Sequence, residues 1–395
     1  MLTGENGILK KTAQAKEETT RAQEKEKNNL NNYEEQMSKY IGIDWNLAKQ
    51  NTQRHPEQKN SKAIGIGTDG KTVNMDLWEY TKLEDENYGL NDAESLTDNG
   101  IKTAGYLGEI IDGKIEGTVP KYIKDENDDD FFEVINMAYS FFNNKELIEA
   151  PEIPDGVTNI RALFNSCENL TTVNNLPSNA INMFGTFANC KKIKQLPRIP
   201  ENVQNMFGTF MGCTSITEAP NIPNKVTDMS LTFYGCTGIE EAPNIPSGVV
   251  EMVRTFSGCT GIKESPEIPN GVTNISYMFD GCTNLSKAPI IPETVTKMYY
   301  TFNGCINLTK APIIPKSVTV LCAAFKGCSR LQGELEINAS VTGKQFGEEW
   351  FNNIDYNNCL LNACTENGLT LKVTGTCTVI DKIVENANNV NITIK

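Results

Sequence analysis

Cysteine is the residue type whose spacing most strongly suggests chemistry. The chain has 395 residues and 12 cysteines. Eight of these recur every 23 residues, at Cys167, Cys190, Cys213, Cys236, Cys259, Cys282, Cys305 and Cys328. A row of this kind could form disulfides or bind zinc, but zinc sites need clustered ligands such as C-x-x-C. Successive cysteines here are a whole repeat apart.

Disulfide geometry also argues against a chemical role for this row. Equivalent residues in stacked repeats lie about 4.8 Å apart with parallel side chains. A disulfide needs Cβ atoms about 3.8 Å apart and side chains turned toward each other. We therefore predict reduced, buried cysteines with a packing role. Four others are off the row, at Cys322, Cys359, Cys364 and Cys377, and a bridge among the last three is left open.

Other residues that could perform chemistry are few. His55 is the one histidine, which leaves little room for a His-based metal site or a Ser-His-Asp triad. The acidic run at 125–130 could bind calcium, but it lacks the alternating ligands and the glycine of an EF-hand loop, so a solvated loop is favoured. We predict no metal, no cofactor and no enzyme activity, although 50 acidic residues leave a carboxylate pair open.

The cysteine row belongs to a longer repeat. Phenylalanine stands three residues before each cysteine, at Phe164, Phe187, Phe210, Phe233, Phe256, Phe279, Phe302 and Phe325. Four residues earlier lies the Met position, occupied by Ile160, Met183, Met206, Met229, Met252, Ile275, Met298 and Leu321. Leu or Ile follows each cysteine by three. A degenerate unit with Met137, Phe141 and Leu147 comes first, as terminal repeats often do.

These positions predict a solenoid of about nine coils over 131–331. One 23-residue coil cannot bury its own apolar side chains, whereas stacked coils align Phe on Phe and Met on Met. Most units carry an A-P-x-I-P segment, where proline turns the chain and isoleucine points inward. The pattern V-T-x-M-x-x-T-F-x-G-C-T-x-L-x-x-A-P-x-I-P resembles the BspA-like class of bacterial leucine-rich repeats. This resemblance implies an α/β solenoid with an extracellular binding function.

The N-terminal region is predicted to form a stalk. Residues 1–48 are charged, lack proline and have weak amphipathic spacing, which predicts a solvated helix. Residues 2–9 and 15–19 resemble the segment that follows the hydrophobic helix of prepilin-like Gram-positive surface proteins. That resemblance implies an anchor preceding Met1, which would be the chain's one link to a membrane. A charged cytosolic helix is the alternative, and 49–62 is predicted to be a linker.

Two smaller units flank the solenoid. Residues 63–130 are predicted to form a small β cap, with strands at 71–75, 77–80 and 105–111 and a hairpin turn at Asp112-Gly113. Residues 332–395 are predicted to form an α/β cap, with strands at 333–337, 369–373 and 390–394 and a helix at 379–387. Such caps would cover the open edges of the array.

Positions that vary between otherwise fixed units are free to face a ligand. The residue between the prolines becomes apolar late in the array, at Ile290 and Ile313. The two positions after the Met position carry aromatic residues, and the candidates are Phe184, Phe207, Tyr277, Tyr299 and Tyr300. Aromatics of this kind anchor interfaces, although packing against the solenoid itself is an alternative explanation.

Composition limits the partners. The net charge of -14 disfavours nucleic acid, and no apolar run is long enough to cross a bilayer. We predict an extracellular, cell-surface adhesion protein that binds a protein or glycan, with the host matrix as one source. The alternative is a minor subunit or tip of a pilus-like filament, with pilin subunits as partners.

Overall fold

The computed structural model describes residues 63–82, 101–124, 129–321, 323–337 and 369–373. Successive coils are joined by parallel one-residue bridges. These run from Asn136 through Asn159, Asn182, Asn205, Asp228, Glu251, Asn274 and Lys297 to Val320. Every bridge joins residues 23 apart in sequence, so the register of the array follows the sequence repeat. A chain stacked in this way is a solenoid in which each coil contacts its neighbours.

Each coil uses its backbone in two alternating ways. The N–H groups of Met183, Gly185 and Phe187 donate to carbonyls of the next coil, at Asn205, Phe207 and Thr209, over 2.8–3.0 Å. The N–H groups in between donate to carbonyls of the same coil and so close tight turns. For example, the Thr186 N–H donates to the Met183 carbonyl at 3.2 Å. The buried backbone is thus satisfied without a helix or a long strand.

Phenylalanine rings form a continuous column inside the solenoid. The rings of Phe141 through Phe325 are stacked, with centroids 5.3–5.9 Å apart. The Met-position residues and the aliphatic residues after each cysteine are buried beside them. The sequence-predicted inward rows are therefore the core, and their contact area is the main stabilising contribution.

Threonine adds a buried polar row that the inward pattern did not predict. Thr186, Thr209, Thr232, Thr255 and Thr301 are fully buried. Each hydroxyl donates to the carbonyl of the Met-position residue one coil earlier, at 2.8–3.1 Å. A buried hydroxyl that lacks a partner is destabilising, so these bonds allow threonine to occupy the core.

A six-stranded sheet precedes the first coil. Its strands are β1 (Ile64–Gly67), β2 (Thr72–Val73), β3 (Trp78–Lys82), β4 (Ile101–Tyr106), β7 (Pro120–Lys124) and β8 (Phe132–Asn136). They are ordered β2-β1-β7-β8-β4-β3, and all pairs are antiparallel except β4 with β8. A 3-10 helix lies at Met75–Leu77. Because β8 ends at Asn136, the first residue of the bridge series, the sheet continues into the solenoid.

A separate hairpin joins β5 (Ile110–Ile111) to β6 (Lys114–Ile115). Its turn residues Asp112 and Gly113 have φ of 51° and 81°. Two consecutive left-handed residues are typical of the tight turn that the Asp-Gly pair predicted.

Aromatic residues close the N-terminal end of the Phe column. Trp78 is buried, with its ring centroid 5.8 Å from that of Phe141 and 5.2 Å from that of Tyr106. The Tyr106 N–H donates to the Ser140 carbonyl at 3.0 Å. The first ring of the column is thereby shielded from water by the preceding sheet.

A second sheet follows the last coil. Strand β9 (Gly333–Ile337) pairs in parallel with β10 (Leu369–Val373). Both strands were predicted at these residues. Ile337 also bridges Ile314, and the Ile314 N–H donates to the Glu336 carbonyl at 2.9 Å. Strand β9 therefore stacks on the final proline segment as a further coil would.

The α component of the predicted α/β fold is not found among the described residues. The coils carry tight turns and single bridges where helical segments were expected, because two positions in every coil have left-handed backbone and two prolines follow. The helices predicted within 1–48 and at 379–387 lie outside the described residues, as do the linker at 49–62 and the strand at 390–394. In the part of the chain that the structure describes, no helix has the length and apolar character needed to span a membrane.

Candidate binding surface

The surface after the Met position is built by two local features. The residue before the Met position is usually Asn or Asp, and its side-chain oxygen accepts the N–H two residues on, as Asn182 does for Phe184 at 2.9 Å. Asn159, Asn205, Asp228 and Asn274 do the same. This local capping turns the chain and directs the next side chains away from the core.

The second feature is a left-handed residue two positions after the Met position. This left-handed row has φ between 49° and 65° and consists of Tyr139, Ala162, Gly185, Gly208, Leu231, Arg254, Tyr277, Tyr300 and Ala323. Glycine adopts this conformation freely, whereas a side chain there carries strain of about 1–2 kcal/mol. Gly185 and Gly208 show that the coil accepts glycine, so Leu, Arg and Tyr at this position oppose a local backbone preference.

Five residues of the early coils form what we call the Phe cluster: Tyr139, Phe142, Arg161, Phe184 and Phe207. The Arg161 guanidinium carbon lies 4.4 Å from the Phe184 ring centroid, and its Nε donates to the Tyr139 hydroxyl at 3.1 Å. Phe184 stacks on Phe207 at 4.8 Å and is only 7% exposed. The Phe cluster therefore packs mostly against itself.

Five residues of the late coils form what we call the Tyr cluster: Arg254, Tyr277, Tyr299, Tyr300 and Lys326. The Arg254 guanidinium carbon lies 3.9 Å from the Tyr277 ring centroid. Tyr277 stacks on Tyr300 at 5.2 Å, and Tyr299 packs against both, at 5.2 and 4.6 Å. Lys326 Nζ is 5.8 Å from the Tyr300 ring. All five side chains are half-buried.

Polar groups support the Tyr cluster from beneath. Asn303 Nδ2 donates to Asp280 Oδ1 at 2.7 Å. Burial raises the pKa of Asp280, an effect opposed by its hydrogen bond with Asn303, by the charge of Arg254 and by a bond with Ser257. Burial also raises the pKa of Tyr277 to about 12, against the opposing charge of Arg254. Tyr277 is therefore a neutral hydrogen-bonding group at physiological pH.

The two isoleucines between the prolines form a separate apolar patch. Ile290 is 90% exposed and Ile313 is 61% exposed. They occupy equivalent positions in adjacent coils, where the backbones are about 4.8 Å apart. Earlier coils have Asn221 and Asn244 at this position. Two large exposed apolar side chains side by side are a candidate contact for another macromolecule.

The structure brings some of the sequence-predicted residues together and separates others. Tyr277, Tyr299 and Tyr300 form one cluster, whereas Phe184 and Phe207 form another in earlier coils. Sequence reasoning missed Arg254 and Lys326 as members of the late cluster. Lys326 directly follows a column phenylalanine, and the lateral neighbours of that row could not be deduced from spacing along one coil.

The cysteine row is a row of buried thiols. All eight row cysteines are buried, and none of them is in a disulfide. Each Sγ donates to the carbonyl of the column Phe one coil earlier, at 2.9–3.1 Å, as Cys236 does to Phe210. Burial raises the pKa of Cys236 to about 12, so the thiol stays protonated and unreactive at neutral pH. In the described ranges no three His, Cys, Asp or Glu side chains are grouped to hold a metal ion.

Comparison with solved structures finds bacterial leucine-rich repeat proteins. A leucine-rich repeat protein from Bacteroides ovatus is 15% identical, with 80% of this chain and 98% of that chain covered and a TM-score of 0.34. A leucine rich cell surface protein from Faecalibacterium prausnitzii is 19% identical, with 74% and 94% covered and a TM-score of 0.35. The pneumococcal vaccine antigen PcpA is 15% identical, with 63% and 68% covered and a TM-score of 0.41. None of the curated proteins matches the chain.

Comparison with protein families gives a direct assignment. The sequence model of the BspA type leucine rich repeat region matches residues 135–263 and 252–366. These two stretches overlap and together span more than half of the chain, including the Phe column, the cysteine row and both aromatic clusters. The chain belongs to the BspA-type leucine-rich repeat family.

Proposed function

We propose that this protein is a cell-surface binding protein that uses its solenoid to adhere to an extracellular protein or glycan. Membership of the BspA-type repeat family supports a binding scaffold rather than an enzyme. The observation that carries the proposal is the Tyr cluster, which departs from the repeat in residue type and is half-buried on coils whose Phe and Cys rows do not vary.

The Tyr cluster has the physical properties of a binding site. Tyrosine and arginine are enriched at interface hot spots, because they combine large contact area with hydrogen-bonding groups. Tyr277, Tyr299 and Tyr300 hold one another in place at centroid distances of 4.6–5.2 Å. Side chains that are already ordered lose little conformational entropy on binding. The cluster is therefore prepared to bind before a partner arrives.

The Ile290 and Ile313 patch is a second contact surface in this proposal. Its exposed apolar area would contribute to affinity once covered by a partner. The alternative role as a pilus-like filament subunit rests on the resemblance of residues 2–9 and 15–19, which lie outside the described residues. It stays a prediction, and so does anchoring to the cell surface through that region.

A binding array tests the proposal. The full chain would be immobilised and exposed to extracellular-matrix proteins and glycans, with a validated adhesin as the positive control. We expect saturable binding that weakens about tenfold in Tyr300→Ala, the loss typical of a hot-spot side chain. Absence of saturable binding in every position of the array, while the control adhesin binds, would refute the proposal.

Substitutions taken from the repeat itself separate the two surfaces. Ile290→Asn and Ile313→Asn install the residue found at Asn221 and Asn244, so the fold has already accepted that change in earlier coils. A loss of binding in this pair, with Tyr300→Ala unaffected, would move the binding surface from the Tyr cluster to the apolar patch.

A further inference from the structure

The Tyr cluster contains a strip that crosses four successive coils, with three residues from the left-handed row and Lys326 from a position three residues beyond that row. Arg254, Tyr277, Tyr300 and Lys326 come from four successive coils, and each contacts the next, at 3.9, 5.2 and 5.8 Å. The coils repeat every 4.8 Å or so, which makes the strip about 14 Å long. It presents a cation at each end and two tyrosines between them.

The rings of this strip are already covered on their faces. Arg254 belongs to the coil before Tyr277, and Tyr300 belongs to the coil after it, so the Tyr277 ring is sandwiched between them. A ligand therefore meets ring edges, hydroxyl groups and the N–H groups of the two cations. Such a surface favours a polar ligand over a flat apolar one.

Local charge selects the sign of the ligand. Residues 131–271 have nine Lys and Arg against fourteen Asp and Glu, whereas residues 272–331 have six against two. The late coils are thus cationic within an acidic chain. Asp280 is a negative group whose pKa is raised by burial and lowered by the charge of Arg254, and it accepts a hydrogen bond from Asn303 at 2.7 Å. Asp280, Arg254 and Lys326 are all half-buried.

Three residues of the strip lie in the left-handed row. Arg254, Tyr277 and Tyr300 have φ of 58°, 57° and 53°, at the position where Gly185 and Gly208 occur in earlier coils. The same conformation recurs at Tyr139, Ala162 and Leu231, so it belongs to the repeat. What distinguishes the strip is that large polar side chains occupy a position that accepts glycine.

We propose that this strip binds an extended anionic polysaccharide, a chain of sugars carrying carboxylate or sulfate groups. The inference rests on the proposed binding function and names its ligand class. A periodic polymer suits a site that repeats once per coil, because the length of one sugar in an extended chain is comparable with the coil spacing. The cations at the ends pair with the anionic groups, and the tyrosine hydroxyls and Asn303 contact sugar hydroxyls.

The experiment measures binding of the full chain to four immobilised polymers. Heparin carries sulfate and carboxylate, hyaluronan carries carboxylate alone, dextran is neutral, and poly-L-glutamate is an anionic polypeptide. We expect salt-sensitive binding to heparin, hyaluronan or both, and none to dextran. Binding to heparin alone assigns the sulfate, and equal binding to both assigns the shared carboxylate.

Charge variants and a matched control locate the site. Arg254→Gln with Lys326→Gln should weaken polysaccharide binding about tenfold or more, since paired charges at an interface are lost. Lys192→Gln with Lys225→Gln removes the same charge from exposed positions in the early coils, and should leave binding within about twofold. Equal losses in both pairs would show a non-specific charge effect and overturn the inference.

A glycine variant separates binding from folding. Tyr277→Gly with Tyr300→Gly installs the residue of Gly185 and Gly208, which relieves strain while removing the tyrosine hydroxyls. We expect lost binding with the circular dichroism spectrum unchanged. If this variant unfolds, the Arg254→Gln with Lys326→Gln variant still tests whether the strip binds the polysaccharide.

Three results would overturn the inference. These are equal, variant-sensitive binding to poly-L-glutamate, which assigns an acidic polypeptide; wild-type binding that survives both strip variants; and no binding to either anionic polysaccharide. In the last case, saturable binding to a matrix protein in the array would leave the proposed function standing.

Discussion

The Phe cluster and the Tyr cluster occupy the same rows of the same solenoid and differ in how deeply their central ring is buried. In the Phe cluster, Arg161 covers Phe184, which is 7% exposed and stacked on Phe207. In the Tyr cluster, Arg254 covers Tyr277, which is half-buried, as are the other four residues of that cluster. Arginine over an aromatic ring is therefore compatible with either a buried or a half-buried ring.

The left-handed row is the sequence difference that accompanies this change. In the coils of Phe184 and Phe207 this row is Gly185 and Gly208, which have no side chain, whereas in the coils of the Tyr cluster it includes Tyr277 and Tyr300. The Tyr cluster therefore takes two of its three rings from the left-handed row, while Phe184 and Phe207 come from the row before it.

The largest expected effect tests whether the interior beneath the two clusters is equivalent. Phe187→Ala and Phe279→Ala each remove one ring from the buried column, one beneath each cluster. Each should lower the free energy of unfolding by about 3–5 kcal/mol, the usual loss for a fully buried phenylalanine. The measurement is urea denaturation followed by circular dichroism. If the two variants lose free energies of unfolding that differ by more than about 2 kcal/mol, the core is not equivalent beneath the two clusters.

A smaller effect separates the clusters themselves. Phe184→Ala and Tyr299→Ala change the same position, one in each cluster, and neither residue is in the left-handed row. Phe184→Ala should cost about 2–4 kcal/mol because its ring is buried, whereas Tyr299→Ala should cost about 1 kcal/mol. Urea denaturation gives both values. The prediction is contradicted if Tyr299→Ala is less stable than Phe184→Ala.

The smallest effect is a pH dependence that arises from Asp280, next to the Tyr cluster. Burial raises the pKa of Asp280, so its ionisation opposes folding. Its contribution to stability is present below the unfolded-state pKa and is lost as pH rises through the carboxyl range. Asp280→Asn should therefore melt at a higher temperature than wild type at neutral pH, and at the same temperature near pH 3, below the ordinary aspartate pKa of about 3.9.

The Phe cluster offers the matched control for this prediction. Asn165 occupies the position of Asp280 in its own coil and is 2% exposed. Asn165→Asp should introduce the same dependence, with the melting temperature falling as pH rises. If Asn165→Asp instead melts at the same temperature at every pH, desolvation at this position is too weak to account for Asp280.

The repeat could be predicted from sequence because its interior is strictly periodic. Phe164 and Cys167 recur in every regular unit, and the structure confirms that their rows are buried and in register. The BspA-like repeat fold is confirmed, whereas the α component of the predicted α/β solenoid is not found among the described residues. The buried residues Met183, Phe187 and Cys190 are spaced four and three apart, which also fits one face of a helix. The left-handed residues Gly185 and Asn189 interrupt a helix, so the chain forms successive turns instead.

The surface was less predictable, because contacts between coils join residues that are far apart in sequence. Arg254 reaches Tyr277 and Tyr300 reaches Lys326, each across one coil boundary. Spacing within a unit does not reveal which rows are lateral neighbours. The roles of Asn182 and of the threonine row were also missed, since their hydrogen bonds depend on backbone geometry that propensities do not specify.

The hydrogen bonds of the cysteine row each join one coil to the coil before it and so keep the spacing of the array uniform. Each thiol links its coil to the coil before it in the same way along the whole row, so duplication or deletion of a 23-residue unit would preserve the register of these bonds. Such an event in the coils between the two aromatic clusters would shift the distance between the clusters by one step of about 4.8 Å. Unequal recombination within the repeat could therefore tune the reach between two surface sites while the scaffold stays unchanged.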